Sequence, residues 1–266
     1  GVRGEHYRID TTSTSTTYSI KTDTFSIPIK PVFRLGTTYQ LAEETYLRAS
    51  YGEGYRFPTI AEKFIATSVG GLTLFPNANV KAETGWSAEF GIKQGFKIGN
   101  FMGYLDLAGF ITEYKDMMEF TFGIYDSTGA EWNTAVMGSP SFSNVGFQSQ
   151  NVEDARIIGG EISVVGKGKI GKIDIGVLTG YTYILPKSIR ADSAYLATFS
   201  DYYTTTTDAN GVETTAADPN VILKYRNRHN FKLDIEFTYK KFSLGISNRY
   251  NSFMEQIDET FTSPIL

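Results

Sequence analysis

The sequence predicts an all-β chain folded as an antiparallel, up-and-down transmembrane β-barrel. Three observations predict it. Apolar and polar residues alternate strictly over long stretches, the connections between those stretches are short and long in turn, and the long connections are rich in Ser, Thr and Tyr. Side chains on a strand point to opposite faces in succession, so an alternating stretch is a two-faced strand.

The alternation is clearest near the end of the chain. Phe231, Leu233, Ile235, Phe237 and Tyr239 are interleaved with Lys232, Asp234, Glu236 and Thr238. Trp86, Ala88, Phe90 and Ile92 alternate with Ser87, Glu89, Gly91 and Lys93. Ile158, Gly160, Ile162 and Val164 alternate with Gly159, Glu161 and Ser163, and Phe33, Leu35, Thr37 and Tyr39 with Arg34, Gly36 and Thr38. About nine strands follow from this test, over 1–10, 27–40, 45–56, 83–97, 101–123, 141–168, 171–187, 223–239 and 242–257. A tilted strand needs about 9–11 residues to cross a bilayer, and most of these suffice.

The connections are independent information. Short turns are expected at 41–44, 98–100, 169–170 and 240–241, and long loops at 11–26, 57–82, 124–140 and 188–222. Short turns at one end and long loops at the other describe a bacterial outer-membrane barrel. A soluble sandwich has no reason to sort its loops by parity. In loop 57–82, Thr59 is placed to cap a short helical turn, with Ile60 and Phe64 sharing a face at i, i+4 spacing.

Composition narrows the function classes. Net charge is −4 over 266 residues, too mild for a nucleic-acid footprint. Cysteine is absent and His6 and His229 are the two histidines, which leaves little material for thiolate, zinc or acid–base chemistry. The paired carboxylates Glu43/Glu44 and Glu153/Asp154 lie at turns and loop ends, where charge serves solvation. The segment 208–213 lacks the ligands and spacing of a calcium loop and is expected to be a solvated Asn-Gly turn. No catalytic residue, cofactor or metal is expected.

Three segments carry a resemblance. At 47–63 the chain reads LRASYGEGYRFPTIAEK, at 75–83 FPNANVKAE, and at 105–118 LDLAGFITEYKDMM. Together they resemble the barrels of TonB-dependent receptors, with the likeness strongest to the Bacteroidetes branch. Gly54, Tyr55, Arg56, Phe57, Pro58 and Thr59 match the element in which a strand passes into an external loop. Asn77, Asn79, Lys81 and Glu83 match the element that closes the same loop, with Ala78 and Ala82 in place of prolines. Tyr114, Lys115 and Asp116 match the family's Tyr-Lys-Asp at the outer rim.

The resemblance implies an outer-membrane importer whose barrel of about 22 strands holds a plug domain. On that expectation, residues 1–266 are a partial barrel domain, with the plug and the terminal strands elsewhere in a longer polypeptide. Implied partners are outer-membrane lipid, the protein's own plug domain, through it the TonB complex, and a surface lipoprotein of the kind that serves the family's glycan importers. The implied ligand is bulky: a siderophore, cobalamin or a glycan.

Two residue sets are candidates for contact. Arg34, Arg48, Glu89, Lys93, Glu161, Lys232, Asp234 and Glu236 are expected to face the barrel lumen, toward water, a plug or a substrate path. Tyr125, Trp132, Tyr195, Tyr202 and Tyr203 fall in the long loops, where aromatics bind ligands or pack the loop itself. Tyr51, Tyr181 and Tyr183 suit an interfacial girdle. Two rival functions share parts of this pattern: a passive porin-like barrel and a soluble β-sandwich that binds carbohydrate. The sandwich requires the Phe231–Tyr239 face to be buried against a second sheet.

Overall fold

The computed structural model describes residues 2–3, 8–9, 25–26, 30–64, 66–69, 72–191, 203–207, 213–217 and 222–257. Its strands are β1 (Val2–Arg3), β2 (Arg8–Ile9), β3 (Phe25–Ser26), β4 (Val32–Ala42), β5 (Thr45–Arg56), β6 (Thr67–Val69), β7 (Leu72–Phe75), β8 (Glu83–Ile98) and β9 (Phe101–Ile124). They continue with β10 (Val145–Ile170), β11 (Ile173–Ala191), β12 (Tyr203–Thr207), β13 (Glu213–Ala217), β14 (His229–Tyr239) and β15 (Phe242–Asn251). Two short helices, α1 (Ile60–Phe64) and α2 (Thr134–Met137), and a 3-10 turn at Phe142–Asn144 lie in the long connections.

One sheet dominates. Its strands run in the order β1-β4-β5-β8-β9-β10-β11-β14-β15, each antiparallel to the next. This is the up-and-down order expected from the sequence, except that of the expected strand 1–10 only Val2–Arg3 join the sheet, while Arg8–Ile9 pair separately with Phe25–Ser26. Substantial contacts between long strands are all between hydrogen-bonded neighbours. Among the described residues no second sheet covers the Phe231–Tyr239 face, which the sandwich reading requires.

Tight turns close one end. They occupy residues 43–44, 99–100, 171–172 and 240–241. Gly99, Gly171 and Lys240 take φ of 59°, 60° and 55°. Positive φ at the first turn residue matches the twist of paired strands, which favours the primed two-residue hairpins. The turn expected at 169–170 therefore sits two residues later, where Gly171 supplies this conformation without steric cost.

Other boundaries also move. The strand expected at 141–168 starts at Val145, after the 3-10 turn, and the one expected at 223–239 starts at His229. Between Ala191 and His229, β12 and β13 pair as a hairpin, from Tyr203↔Ala217 to Thr207↔Glu213. The threonine run that reads as solvated loop is thus also a β-branched strand former. Segment 208–212 between the two strands, with most of the expected Asn-Gly turn, lies outside the described residues. Most of 1–29 does too, apart from β1 pairing with β4 and β2 with β3.

The register separates two faces. One carries Leu35, Phe90, Leu107, Ile158, Ile162, Leu244 and Ile246, all exposed. Such an exposed apolar face is what the strands of an outer-membrane barrel turn toward lipid. Near the tight turns Phe101 packs where Gly166 and Gly168 leave room for its ring. At the other end the apolar face stops at a row of residues aligned across five strands: Glu53, Trp86, Glu113, Arg156 and Lys187.

Strands β9 and β10 continue well past that row. Between Phe101 and Asp116 the strand runs roughly 50 Å, more than a tilted crossing of a ~25 Å apolar band requires. A bulge follows. The register shifts at Asn151/Glu153 and again at Glu153/Ala155. Asp116 adopts φ of 54°, its N–H donates to Asp154 Oδ1 at 3.0 Å, and its carbonyl accepts from Asn151 Nδ2 at 2.8 Å. Beyond the bulge, β7 joins β10 in parallel (Thr73↔Gly146 to Phe75↔Gln148).

The protein's true core lies at this loop end. Phe75, Val80, Met117, Met118, Tyr125, Ala155 and Leu223 are buried there, while the wall itself has almost no buried side chains. A single-layer wall has nothing to bury against within the chain; the folded connections do.

Candidate functional site

The charged face is assembled by register. Arg34 pairs with Gly52, Arg48 with Gly91, Glu89 with Ser50, and Lys93 with Tyr46. Glu161 pairs with Ala108, and Lys232, Asp234 and Glu236 pair with Gly180, Leu178 and Gly176. All eight residues thereby lie on one face of the sheet, opposite the apolar band.

Much of this charge is neutralised locally. Arg48 bridges Glu89 at 2.8 Å and Asp106 at 2.5 Å. Lys93 sits 4.5 Å from the centroid of the Tyr104 ring. Asp234 is paired with Lys232 at 3.4 Å and Arg249 at 3.1 Å, and it accepts a hydrogen bond from Ser247. Asp106 and Arg249 were not singled out from sequence. Alternation does place them on this face, between Leu105 and Leu107 and between Asn248 and Tyr250.

The segments at 54–59 and 77–83 turn out to build a latch. Thr59 caps α1: its Oγ1 accepts from Glu62 N–H at 3.2 Å, and Glu62 accepts from Thr59 N–H at 2.6 Å. This reciprocal pair is a capping box, read in sequence as T-x-x-E. Arg56, at the end of β5, adds an ion pair to Glu62 at 2.9 Å. Glu62 is nearly buried, and burial alone would raise its pKa. The Thr59 amide, Arg56 and the Thr59 hydroxyl outweigh that and hold it below its ordinary value. Lys63 is buried beside it and donates to Ala78 C=O at 2.9 Å; burial pushes its ammonium pKa down.

Asn77 is the joint of the latch. Its N–H donates to Glu62 C=O at 3.2 Å, its Nδ2 donates to Ser149 C=O on β10 at 2.9 Å, and its Oδ1 accepts from Asn79 N–H at 3.0 Å. Lys81 exchanges two backbone hydrogen bonds with the Asn151 side chain, and Glu83 accepts from Met118 N–H at 2.9 Å. Tyr55 meets Phe57 edge-on at 4.8 Å, and Pro58 is buried. Gly54 faces open space. The matching residues therefore fasten loop 57–82 to the β9–β10 extension. Beside them, on the charged face, Arg34, Ser50, Arg56, Glu83 and Tyr114 line a groove of about 600 Å³.

The loop aromatics divide. Tyr125 is only 3% exposed. It packs on Phe75 at 5.2 Å and its hydroxyl bonds Thr121 and Gln150, so burial pushes its phenol pKa up. It is a packing residue, because its bridge to Glu131 folds the loop over it. Trp132 is half-exposed, with its indole N–H donated to Gly138 C=O at 2.9 Å. Tyr203 belongs to β12, and Tyr195 and Tyr202 lie outside the described residues.

Comparison with known proteins gives this architecture a family. The family model for TonB-dependent-receptor-like β-barrels matches residues 1–264. Hemoglobin-haptoglobin utilization protein B of Neisseria meningitidis is 30% identical over 131 residues, covering 48% of this chain and 16% of the relative. Hemoglobin-haptoglobin-binding protein A of Haemophilus influenzae is 25% identical over 157 residues, 58% of this chain and 14% of the relative. The chain thus spans 14–16% of the length of these relatives.

Among solved structures, the hemophore receptor HasR of Serratia marcescens, in complex with its hemophore HasA and heme, aligns with a TM-score of 0.52 at 15% identity, over 94% of this chain and 39% of that one. The outer membrane transporter YddB of Escherichia coli aligns with a TM-score of 0.50 at 14% identity, over 84% and 29% of the two chains. The alternating wall, the tight-turn end and the latched loop are those of a barrel, and the chain belongs to the TonB-dependent receptor β-barrel family.

Proposed function

We propose that residues 1–266 form part of the barrel wall and outer mouth of an outer-membrane receptor that imports a bulky ligand under TonB control. The observation that carries this is the two-faced sheet: an exposed apolar face against lipid and a charged face toward a lumen, within a chain matched almost end to end by the family model. In that placement the tight turns lie in the periplasm and the latched loops outside the cell. The eight charged residues line the lumen, where self-pairing leaves a polar surface past which a plug domain can rearrange.

The greater length of the relatives supports placing the plug and the remaining strands elsewhere in a longer polypeptide. A surface lipoprotein partner and membership of the Bacteroidetes branch belong to the proposal on the motif likeness alone. The barrel itself binds, selects and conducts without covalent chemistry.

Two relatives are named for hemoglobin–haptoglobin, and one solved neighbour holds a hemophore with heme. These names favour a haem-carrying protein as ligand over a siderophore, cobalamin or glycan. Contact then falls to the groove beside Arg34, Arg56 and Tyr114 and to the loop aromatics Trp132, Tyr195, Tyr202 and Tyr203, with Tyr125 supporting them from within. The test is growth on hemoglobin–haptoglobin as sole iron source, in strains lacking this gene or lacking TonB. Loss of growth in both supports the reading. Growth that needs the gene but not TonB identifies a passive porin instead.

A further inference from the structure

The row Glu53, Trp86, Glu113, Arg156, Lys187 ends the apolar face abruptly, and a cleft of about 450 Å³ opens beside it. Its charged lining is Lys30, Lys115, Glu53, Glu113 and Asp154, with Tyr51 and Trp86 among them. By register Tyr51, Glu53, Trp86, Glu113 and Lys115 all belong to the apolar face of the wall or its upward continuation.

The acids of the cleft are already occupied. Glu113 accepts from the Trp86 indole N–H at 3.1 Å and from Arg156 Nε at 2.6 Å, Glu53 accepts from Tyr51 Oη at 3.0 Å and Phe33 N–H at 3.3 Å, and Asp154 accepts from Asp116 N–H at 3.0 Å. The lysines are not. Lys30 and Lys115 are exposed and have no ion-pair or hydrogen-bond partner among the described residues. The cleft also has an aromatic floor, Tyr51 stacked on Trp86 with centroids 6.1 Å apart and planes inclined by 28°. Below it the wall offers exposed Leu35 and Phe90.

We propose that this cleft binds the phosphate headgroup of a membrane lipid. Two unpaired ammonium groups supply the charge. The Tyr–Trp pair suits the amphipathic zone between headgroup and chain, where such side chains concentrate. The apolar residues beneath give the acyl chains a track. A free anion would use the lysines but not the aromatic floor or the track, so the occupant is the acylated form. The site rests on the membrane placement proposed above and is independent of which ligand is imported.

The experiment is native mass spectrometry of the full-length protein purified in detergent. The probes are dioleoyl phosphatidic acid, dioleoylglycerol, which lacks the phosphate, and inorganic phosphate as competitor. Wild-type protein retains phosphatidic acid over dioleoylglycerol, and the K30Q/K115Q double variant loses about 25-fold of that retention, at roughly fivefold per surface lysine. K30R/K115R restores it, and K167Q, at the opposite end of the wall, leaves it unchanged. Equal retention by K30Q/K115Q, or equal retention of dioleoylglycerol, overturns the site. Displacement of the lipid by millimolar inorganic phosphate reassigns the cleft to free anions and overturns the lipid. A protein that stays monodisperse without detergent removes the membrane placement itself, an outcome distinct from the other three.

Discussion

Glu62 shows how one side chain sets the local stability of the mouth. It closes the capping box with Thr59 and anchors Arg56 from the neighbouring strand end. Its folded pKa is depressed despite burial. A depressed carboxylate stabilises fully above its unfolded pKa, about 4.3 for Glu, and that contribution fades as pH falls through the lower folded value. Acid should therefore release loop 57–82 before the wall unfolds. Hydrogen exchange at pH 7 and near pH 3 should show protection lost at 57–82 and kept in β8, and E62Q should lose much of that protection already at pH 7. Equal protection of the loop at both pH values refutes the latch. Asn77→Ala removes one side-chain donor and one acceptor and should cost about 1–3 kcal/mol locally, read as faster exchange at 72–82 with no change in β14. Thr59 as a cap was legible because its signal is local. The burial of Lys63 was not, because it depends on Ala78 arriving from 15 residues away.

At the scale of the element, the hairpins follow two rules. Three of the four tight turns sit where a residue takes positive φ, so Gly171 overrode the expected turn at 169–170. Gly171→Val should weaken the β10–β11 hairpin by about 1–2 kcal/mol, seen as a lower unfolding temperature in detergent, whereas Gly176→Ala, in open space on the strand, should cost less. The second rule is that a bulge divides wall from extension in β9–β10. Because Asp116 spends its backbone groups on Asp154 and Asn151, the pairing above it is separable from the pairing below. Replacing 126–143 by a two-residue Asn-Gly turn should leave detergent-stable barrel assembly intact while lowering ligand binding. Collapse of assembly would show that the tip nucleates the wall. The length of β9 was legible in alternation. The β12–β13 hairpin was missed because threonine serves loop and strand alike.

Across the whole molecule the decisive property is the pair of faces. Ile235 lies mid-strand on the apolar face and Asp234 on the charged one. Ile235→Lys should destabilise the inserted barrel by about 2–4 kcal/mol, as a cation at the bilayer midplane does. Asp234→Asn leaves Arg249 and Lys232 with a neutral partner on a hydrated face and should destabilise the barrel far less. Urea titrations in lipid vesicles would separate the two, and equal effects would contradict the assignment of faces.

What the sequence determined by itself was the periodicity, and with it the strand order, the two faces and the side of every lumen candidate. Strand geometry is local and its period of two admits no ambiguity over ten residues. What tertiary structure alone decided was the mouth: the seating of β7 on β10, the burial of Tyr125 and Lys63, and the joining of Arg56, Glu62, Asn77 and Asn151 into one latch. Those contacts link residues up to about 70 positions apart through irregular backbone. No repeating pattern along the chain encodes them.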